Sequence, residues 1–326
     1  MKGSPLFVVL VLLALSLVGV VLWSMFASPN QHDEAVSLID PASIGTVPPM
    51  TVGDRVSLEK DIRTYAADET TRGVIANYSV YFRDLMNGPV IALQESEDFA
   101  PASLLKLPIA LWYYKHEDAD PGFLDIGILF SGPNGTETTH YPSPRPLIPG
   151  TVYTLRELID RMLADSDNDA TQVLIGYAGV TYGNGTEAGG RDVINQVYRD
   201  LDIEPVADYA TYVIDVHTYI AFFRTLYTGT YLSHDSSAAI LEHLSHSSFT
   251  RGLAAGLPSN VIASHKFGER QLDAYGFVQL HDCGIVYAVR PYLLCIMTQG
   301  KDYDTMAPFI AEVSKKVYSM VSKDRH

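Results

Sequence analysis

The sequence predicts an α+β fold with two lobes, in which helices from both ends of a domain flank an antiparallel sheet of about five strands. Three observations indicate this fold. A helix and a hairpin are predicted after residue 57, the chain is mostly helical up to about residue 259, and three strands and an amphipathic helix follow. The strands and outer helices therefore form one lobe and the helical middle forms the other.

Composition limits the possible functions. The chain has 326 residues, 47% of them hydrophobic, so it can bury a sizeable core. Its formal net charge of −15 argues against binding of nucleic acid, or of an anionic membrane surface, through the main domain. It has only two cysteines and no Cys/His cluster with metal-ligand spacing. We expect a domain without metal or cofactor.

The first element is an uncharged run at residues 6–26, long enough to cross a bilayer as a helix. Lys2 precedes it and acidic residues follow from Asp33, which predicts a cytoplasmic amino terminus and an extracytoplasmic domain. A cleaved signal peptide is the alternative, but residues 25–27 do not form a small-x-small cleavage site. We expect an uncleaved anchor over residues 1–26.

Residues 27–56 are rich in Pro, Ser and small polar residues and have no sustained apolar period, which predicts a flexible linker. The globular domain is therefore expected to span residues 57–326. It opens with a helix, because Leu58, Ile62 and Tyr65 recur at helical spacing, followed by a hairpin of residues 76–83 and 90–93.

The helical middle begins at residues 99–111, where a proline and small residues lead into an apolar run with helical spacing. A second helix start is marked by Thr154 and Glu157, which have the spacing of a capping box. That helix is expected to end at residues 165–169, whose polar side chains compete for backbone groups, and another helix is expected from Ala170.

Strands are predicted at residues 261–268, 277–289 and 292–297, and residues 306–321 predict the closing amphipathic helix. Cys283 and Cys295 could face each other on neighbouring strands. A disulfide is permitted outside the cytoplasm, but two buried free thiols are an equally open alternative. His281-Asp282 is expected to be a polar pair at a strand edge.

Chemistry is indicated first by Ser103 and Lys106, which share one face of a helix at its first turn. A serine hydroxyl becomes a nucleophile when a neighbouring base takes its proton, and a desolvated lysine can do so. The free N–H groups of a first turn also favour developing negative charge. The pair alone is weak evidence, because an exposed Ser and Lys on a helix are common.

Two further motifs follow in order: Ser166-Asp-Asn168 and Lys266-Phe-Gly268. With Ser103-x-x-Lys106, the set resembles the signature of class A β-lactamases and penicillin-binding proteins, the penicillin-recognising serine hydrolases. The resemblance covers about residues 57–322 and implies a β-lactamase-like two-lobed fold. The ordered set is far more specific than any single motif.

The resemblance implies a role for each motif residue. Ser103 attacks a carbonyl while Lys106 holds or takes its proton, and Ser166 relays a proton to the leaving nitrogen. Asn168 binds the substrate's acylamide and braces Lys106. Lys266 supplies positive potential for a substrate carboxylate and for proton transfer through Ser166. A structural role for Lys266 is a poor alternative, because an unpaired buried ammonium is costly.

The resemblance also implies substrate contacts on the strand after Lys266. Gly268 lets substrate backbone approach, and the N–H groups of Ser103 and Glu269 form the oxyanion hole. Phe267 departs from the family, which has Thr or Ser there to bind the substrate carboxylate. Arg270 or His265 could take over that contact.

The second departure concerns hydrolysis of the acyl-enzyme. Class A β-lactamases use a loop glutamate as the base for this step, and the nearest match is Glu204, whose surroundings lack the family's Leu and Asn. A surface turn at Glu204-Pro205 is the alternative. Without that base the enzyme acylates but releases its product slowly.

We therefore expect a membrane-anchored acyl-serine hydrolase of class A β-lactamase type. Its substrate is a small molecule or a cell-wall peptide: a β-lactam, or the related D-Ala-D-Ala peptide end. Three alternatives stay open: a penicillin-binding D,D-peptidase with slow deacylation, a non-catalytic binding or scaffold domain on the same fold, and a plain amidase or esterase.

Overall fold

The computed structural model describes residues 50–86, 90–133, 139–272 and 276–323. The expected anchor at residues 6–26 and most of the expected linker lie outside these residues. Within them, no helix has the length and apolarity needed to cross a bilayer.

Nine α-helices and seven strands cover the described residues. The helices are α1 (Val52–Thr71), α2 (Lys106–Ala119), α3 (Leu155–Ala164), α4 (Asn168–Tyr182), α5 (Glu187–Ile194), α6 (Gln196–Asp200), α7 (Val216–Thr228), α8 (His234–Ser245) and α9 (Tyr303–Val321). The strands are β1 (Ile75–Asp84), β2 (Val90–Leu93), β3 (Gly127–Leu129), β4 (Val152–Thr154), β5 (Ala263–Leu272), β6 (Phe277–Val286) and β7 (Tyr292–Gly300).

A five-stranded sheet of order β2-β1-β7-β6-β5 forms the centre of the domain, and every neighbouring pair in it is antiparallel. The sheet joins the hairpin that precedes the helical region to the three strands that follow it, as the sequence predicts. A two-stranded ribbon of β3 and β4 lies apart from this sheet. Its strands lie before and after the Gly/Pro-rich residues 131–150, and neither is among the strands that the sequence predicts.

The sheet separates two hydrophobic cores, as alternation along β7 shows. Leu293, Cys295 and Met297 belong to the core shared with the helical region, whereas Leu294 and Ile296 belong to the core under α1 and α9. Because both faces of the strand are covered, its sequence is a nearly continuous apolar run without the alternation of a half-exposed strand.

Cys283 and Cys295 are joined by a disulfide, so the bridge is the alternative that the structure contains. They are direct partners on β6 and β7. Lys266 is the partner of Cys283 on β5, and Tyr81 is the partner of Cys295 on β1. Since residues in register share a face of the sheet, the disulfide is the immediate neighbour of Lys266 in this row.

The first helix of the domain begins earlier than predicted. It starts at Val52 rather than at residue 57, so residues 52–56 are helical instead of part of a linker. Thr51 and Asp54 form a reciprocal capping box at its start. The buried positions of the helix begin only at Leu58, so the apolar pattern misses its first turns.

The other boundaries differ modestly from the predictions. The capping box of Thr154 and Glu157 is present, and α3 starts directly after Thr154. The next helix begins at Asn168 rather than Ala170, because Asp167 caps it by accepting from the Ala170 N–H. The strand predicted to reach residue 289 ends at Val286.

Candidate active site

Ser103 lies in a tight turn rather than in a regular helix. Residues Ala102–Leu105 form one 3₁₀ turn, and the α-helix that continues from it begins at Lys106. Ala102 has φ of +51°, a left-handed conformation that is strained for a residue with a side chain. The Tyr219 hydroxyl donates to the Leu104 carbonyl at 3.0 Å, which fixes the turn from α7.

The segment before this turn is fastened to the sheet through Ala100. Its N–H donates to Gln279 Oε1 at 3.0 Å, and its carbonyl accepts from His281 Nε2 at 3.0 Å. His281 Nδ1 accepts from the Thr298 N–H at 3.2 Å, so the neutral Nε2–H tautomer satisfies both contacts. No sequence pattern indicated these two hydrogen bonds to Ala100. The sequence predicts His281 and Asp282 at a strand edge, but both are fully buried and β6 lies inside the sheet.

The burial of His281 makes stability depend on pH. Burial lowers the pKa of His281 from 6.5 to about 4. The unfolded chain therefore binds one more proton between these values, and stability is complete above pH 6.5 and falls as the pH drops toward 4. The expected loss is on the order of 3 kcal/mol, because one pKa unit corresponds to about 1.4 kcal/mol.

Urea unfolding at pH 7 and pH 4.5 measures this loss. We expect His281→Gln, which keeps a donor for Ala100 but does not titrate, to lose less stability between the two pH values than the unsubstituted chain. Equal losses in both proteins would contradict the assignment.

Lys106 connects the turn of residues Ala102–Leu105 to the loop between α3 and α4. It is 4% exposed, and its Nζ donates to the Ser166 carbonyl at 2.5 Å, to Asn168 Oδ1 at 2.6 Å and to Ser166 Oγ at 3.2 Å. The first and second motifs are thus in direct contact. The amine is therefore held in a buried position by three oxygen atoms of the Ser166–Asn168 turn.

The Ser166-Asp167-Asn168 turn both caps α4 and contacts Lys106. Ser166 has φ of +56°, and Asp167 is the N-cap of α4. The left-handed residue lets the chain turn back so that Ser166 and Asn168 both reach Lys106.

Gly268 has a structural reason different from the expected one. A Cβ there would lie 2.8 Å from the Pro101 carbonyl oxygen and 3.2 Å from the Leu104 backbone nitrogen. Because Gly268 has no side chain, the turn that contains Ser103 can pack directly against β5. The expected role, an approach of substrate backbone, stays a prediction.

Gly268→Ala should therefore displace Ser103, because the backbone atoms that it meets cannot move aside. We expect the acylation rate by a penicillin to fall at least about 100-fold, as a displacement of about 1 Å can cost that much. Gly176→Ala is the matched control, since a Cβ at Gly176 meets nothing within 4 Å on α4. Thermal unfolding of both variants separates loss of position from loss of fold.

Ser103, Lys106, Asn168 and Glu269 line one cavity of about 760 Å³ between the helical region and β5. Ser166 lines an adjoining cavity of about 510 Å³, and Asn168 is a wall of both. Glu269 Oε1 accepts from the Tyr141 N–H at 3.1 Å, and burial raises the pKa of this carboxyl. The first two motifs and the second half of β5 thus converge on one cleft.

Lys266 lies behind this cleft and lines neither cavity. Its Nζ donates to the Phe267 carbonyl at 3.0 Å and lies 4.4 Å from the centroid of the Phe267 ring. Burial, together with the charge of Lys106, lowers the pKa of Lys266 well below its ordinary value. A neutral amine there could accept a proton, and its role toward Ser166 stays a prediction.

Phe267 lines neither of the two cavities of the cleft, and its predicted contact with a substrate stays a prediction. It is 2% exposed and its ring stacks on Phe249 with a centroid distance of 4.4 Å, in the core under α9. Of the two proposed substitutes for a family hydroxyl, Arg270 lines the cavity of Ser103 and His265 does not. His265 Nδ1 lies 2.7 Å from Asp282 Oδ1 in a buried pair, and Arg270 donates to loop carbonyls.

Glu204, the candidate base for deacylation, is exposed and lines neither cavity. Its loop reaches the cleft through Tyr209 and Ala210 instead. The position of Glu204 therefore fits the surface turn that the sequence left as the alternative.

Comparison with known proteins agrees with this architecture. A family model described as the Beta-lactamase enzyme family matches residues 57–321. Three solved structures are similar in fold: TLA-1 extended-spectrum β-lactamase (16% identity, TM-score 0.68, covering 83% of this chain and 100% of that chain), PBP-A (21%, 0.62, 84% and 98%) and a β-lactamase from Chitinophaga pinensis (20%, 0.66, 81% and 98%). A comparison with curated protein sequences found no match.

The fold is thus that of the class A β-lactamase-like serine hydrolases. Because the family model covers most of its length, the chain belongs to the Beta-lactamase enzyme family.

Proposed function

We propose that this protein is an acyl-serine hydrolase, acylated at Ser103 by β-lactams or by the D-Ala-D-Ala end of cell-wall peptides, and that it releases the acyl group slowly. One observation carries the proposal: Lys106 Nζ, one helical turn from Ser103, is held by Ser166 and Asn168 at the wall of the cavity that Ser103 lines. A second similar structure of PBP-A, that of its L158E mutant, is an acyl-enzyme complex with penicillin G.

In the proposed acylation, Ser103 Oγ attacks the substrate carbonyl and Lys106 takes the hydroxyl proton. The 3.2 Å contact between Lys106 Nζ and Ser166 Oγ then provides a path for a proton to the leaving nitrogen. The N–H groups of Ser103 and Glu269 stabilise the oxyanion, a contribution of about 3–4 kcal/mol per donor in enzymes of this kind.

We expect slow deacylation because of the residues that the loop after Glu204 contributes to the cleft. Hydrolysis of the ester needs a base that activates water, and Tyr209 and Ala210, which the loop brings to the cavity, supply no carboxylate. Among the described residues that line it, Glu269 is the one carboxylate, and its Oε1 accepts from the Tyr141 N–H. The geometry therefore favours a penicillin-binding D,D-peptidase over a rapid β-lactamase.

Intact-mass spectrometry over time after addition of benzylpenicillin tests the proposal. We expect an adduct of the full penicillin mass on Ser103 that persists for at least minutes. An adduct that decays within seconds would make the protein a β-lactamase with an unrecognised base. No adduct at all would favour a scaffold domain, and reaction with simple esters alone would favour a plain esterase.

We further infer that residues 6–26 anchor the enzyme in a membrane with its catalytic domain on the extracytoplasmic side. The uncharged run, with Lys2 before it and Asp33 after it, supports this proposal. The full chain should resist extraction from membranes by carbonate, whereas a chain starting at residue 38 should be released. A released full chain would contradict the anchor.

A further inference from the structure

The cleft concentrates positive charge in a strongly acidic protein. Among the described residues, two arginines, Arg191 and Arg270, and the amine of Lys106 line the 760 Å³ cavity, here called the main cavity, with one carboxylate, Glu269. The whole chain carries a formal charge of −15. A concave, partly buried cluster of cations focuses its field on a bound ligand, so this cleft attracts anionic groups.

Two of these side chains, Arg191 and Arg270, contact the same loop, which contains Tyr209 and Ala210. The Arg191 guanidinium lies 4.3 Å from the ring centroid of Tyr209, and Arg270 Nη2 donates to the Ala210 carbonyl at 2.7 Å. Arg191 comes from α5 and Arg270 from β5, so elements from both sides of the cavity supply this charge. Because the loop already orders both side chains, an anion would bind them at a small cost in entropy.

The carboxylates near the two arginines do not remove this charge from the cavity. Glu187 accepts from both Nε (3.1 Å) and Nη2 of Arg191 and lines the adjoining cavity, and Asp208 is a carboxylate that interacts with Arg270. Both are exposed, and neither lines the main cavity. The Arg191 side chain is 26% exposed, so solvent screens its field less than that of a surface residue.

The position of Ser166 decides which part of a substrate meets the arginines. If Ser166 passes a proton to the leaving nitrogen, that nitrogen must face the wall where Ser166 lies. The acyl side of the substrate, on the carbonyl side of the bond that breaks, then extends into the main cavity, toward Tyr209, Arg191 and Arg270.

We propose that Arg191 and Arg270 select acyl donors that carry a carboxylate on the acyl side chain, which lies on the carbonyl side of the C–N bond that breaks. The chemical class is an acidic acyl group, such as a peptide or penicillin side chain with a free carboxylate. The inference rests on the proposed function, because it uses acylation at Ser103 to orient the substrate. A guanidinium matches a carboxylate in geometry and charge.

The test compares benzylpenicillin with α-carboxybenzylpenicillin, which differs only by a carboxylate on the acyl side chain. We expect the full-length protein to be acylated by the carboxylated compound with a second-order rate constant at least about tenfold higher, the low end for a hydrogen bond to a charged group. Arg191→Gln and Arg270→Gln should each reduce this preference, and added salt should reduce it further. Arg224→Gln, which removes an exposed arginine on α7, is the matched control and should leave it unchanged.

The outcomes separate this inference from the proposed function. Acylation without a preference, or a preference that both arginine variants retain, overturns the assignment of the two arginines. Calorimetric binding of both penicillins to Ser103→Ala covers the case in which no acylation occurs. An arginine-dependent preference there supports the inference although the proposed acylation has failed, and its absence overturns both.

Discussion

Replacing Ser103 with Ala is expected to abolish covalent labelling by a fluorescent penicillin, with a loss of at least about 10³-fold in the acylation rate. The hydroxyl is the only atom of that side chain that can form the ester, and removing a catalytic serine costs more than that in other serine hydrolases. Intact-mass spectrometry measures the loss directly, because an acylated chain is heavier by the mass of the whole penicillin.

The substitution removes one partly buried hydroxyl and should leave the fold intact. Ser319→Ala, which changes an exposed serine on α9, is the matched control and should be labelled like the unsubstituted chain. Undiminished labelling of the Ser103→Ala protein would place the nucleophile elsewhere and end the mechanism proposed here.

The second large effect is expected for Lys106→Met, which keeps a long apolar stem but removes the amine. The acylation rate should fall by about 10²–10⁴-fold, the range for loss of a general base. Ser166 and Asn168 would also lose the donor that they share, which should lower the free energy of unfolding by about 1–3 kcal/mol. The rate is therefore measured at a temperature where urea unfolding shows the variant fully folded.

Lys315→Met is the control, because Lys315 is an exposed lysine whose partner is Glu312 on the same helix. Its acylation rate should not change. If Lys106→Met is acylated within about threefold of the normal rate, Lys106 is a structural lysine and another group must take the proton of Ser103.

Much of the fold follows from local patterns. The helix–hairpin opening, the helical middle, the strands at the end and the closing helix are all present. Each has a period or cap that its own residues specify, such as the capping box of Thr154 and Glu157. Boundaries were less predictable. Val52 starts a helix through its cap while its first turns remain exposed, and such turns carry no apolar signal.

The site was predictable only where a short motif carries the chemistry. Ser103, Lys106 and Asn168 could be singled out because their spacing and order are specific, and the structure brings them to one cavity. Glu204 was selected by distance along the chain, which does not determine where a loop side chain points. His281 and Gln279 gave no signal, because their partner Ala100 is a backbone group about 180 residues away.

The sequence by itself determined the element types, the order of the three motifs and the presence of a Ser-x-x-Lys pair, because these depend on residues within a few positions of each other. Only the tertiary structure decided that Gly268 admits the turn at Pro101, that Phe267 lies in the core, and that Arg191 and Arg270 line the cleft whereas Glu204 does not. These facts depend on contacts between distant segments, such as the 60-residue separation of Lys106 and Ser166. Packing of the whole chain fixes such contacts, and no local pattern encodes them.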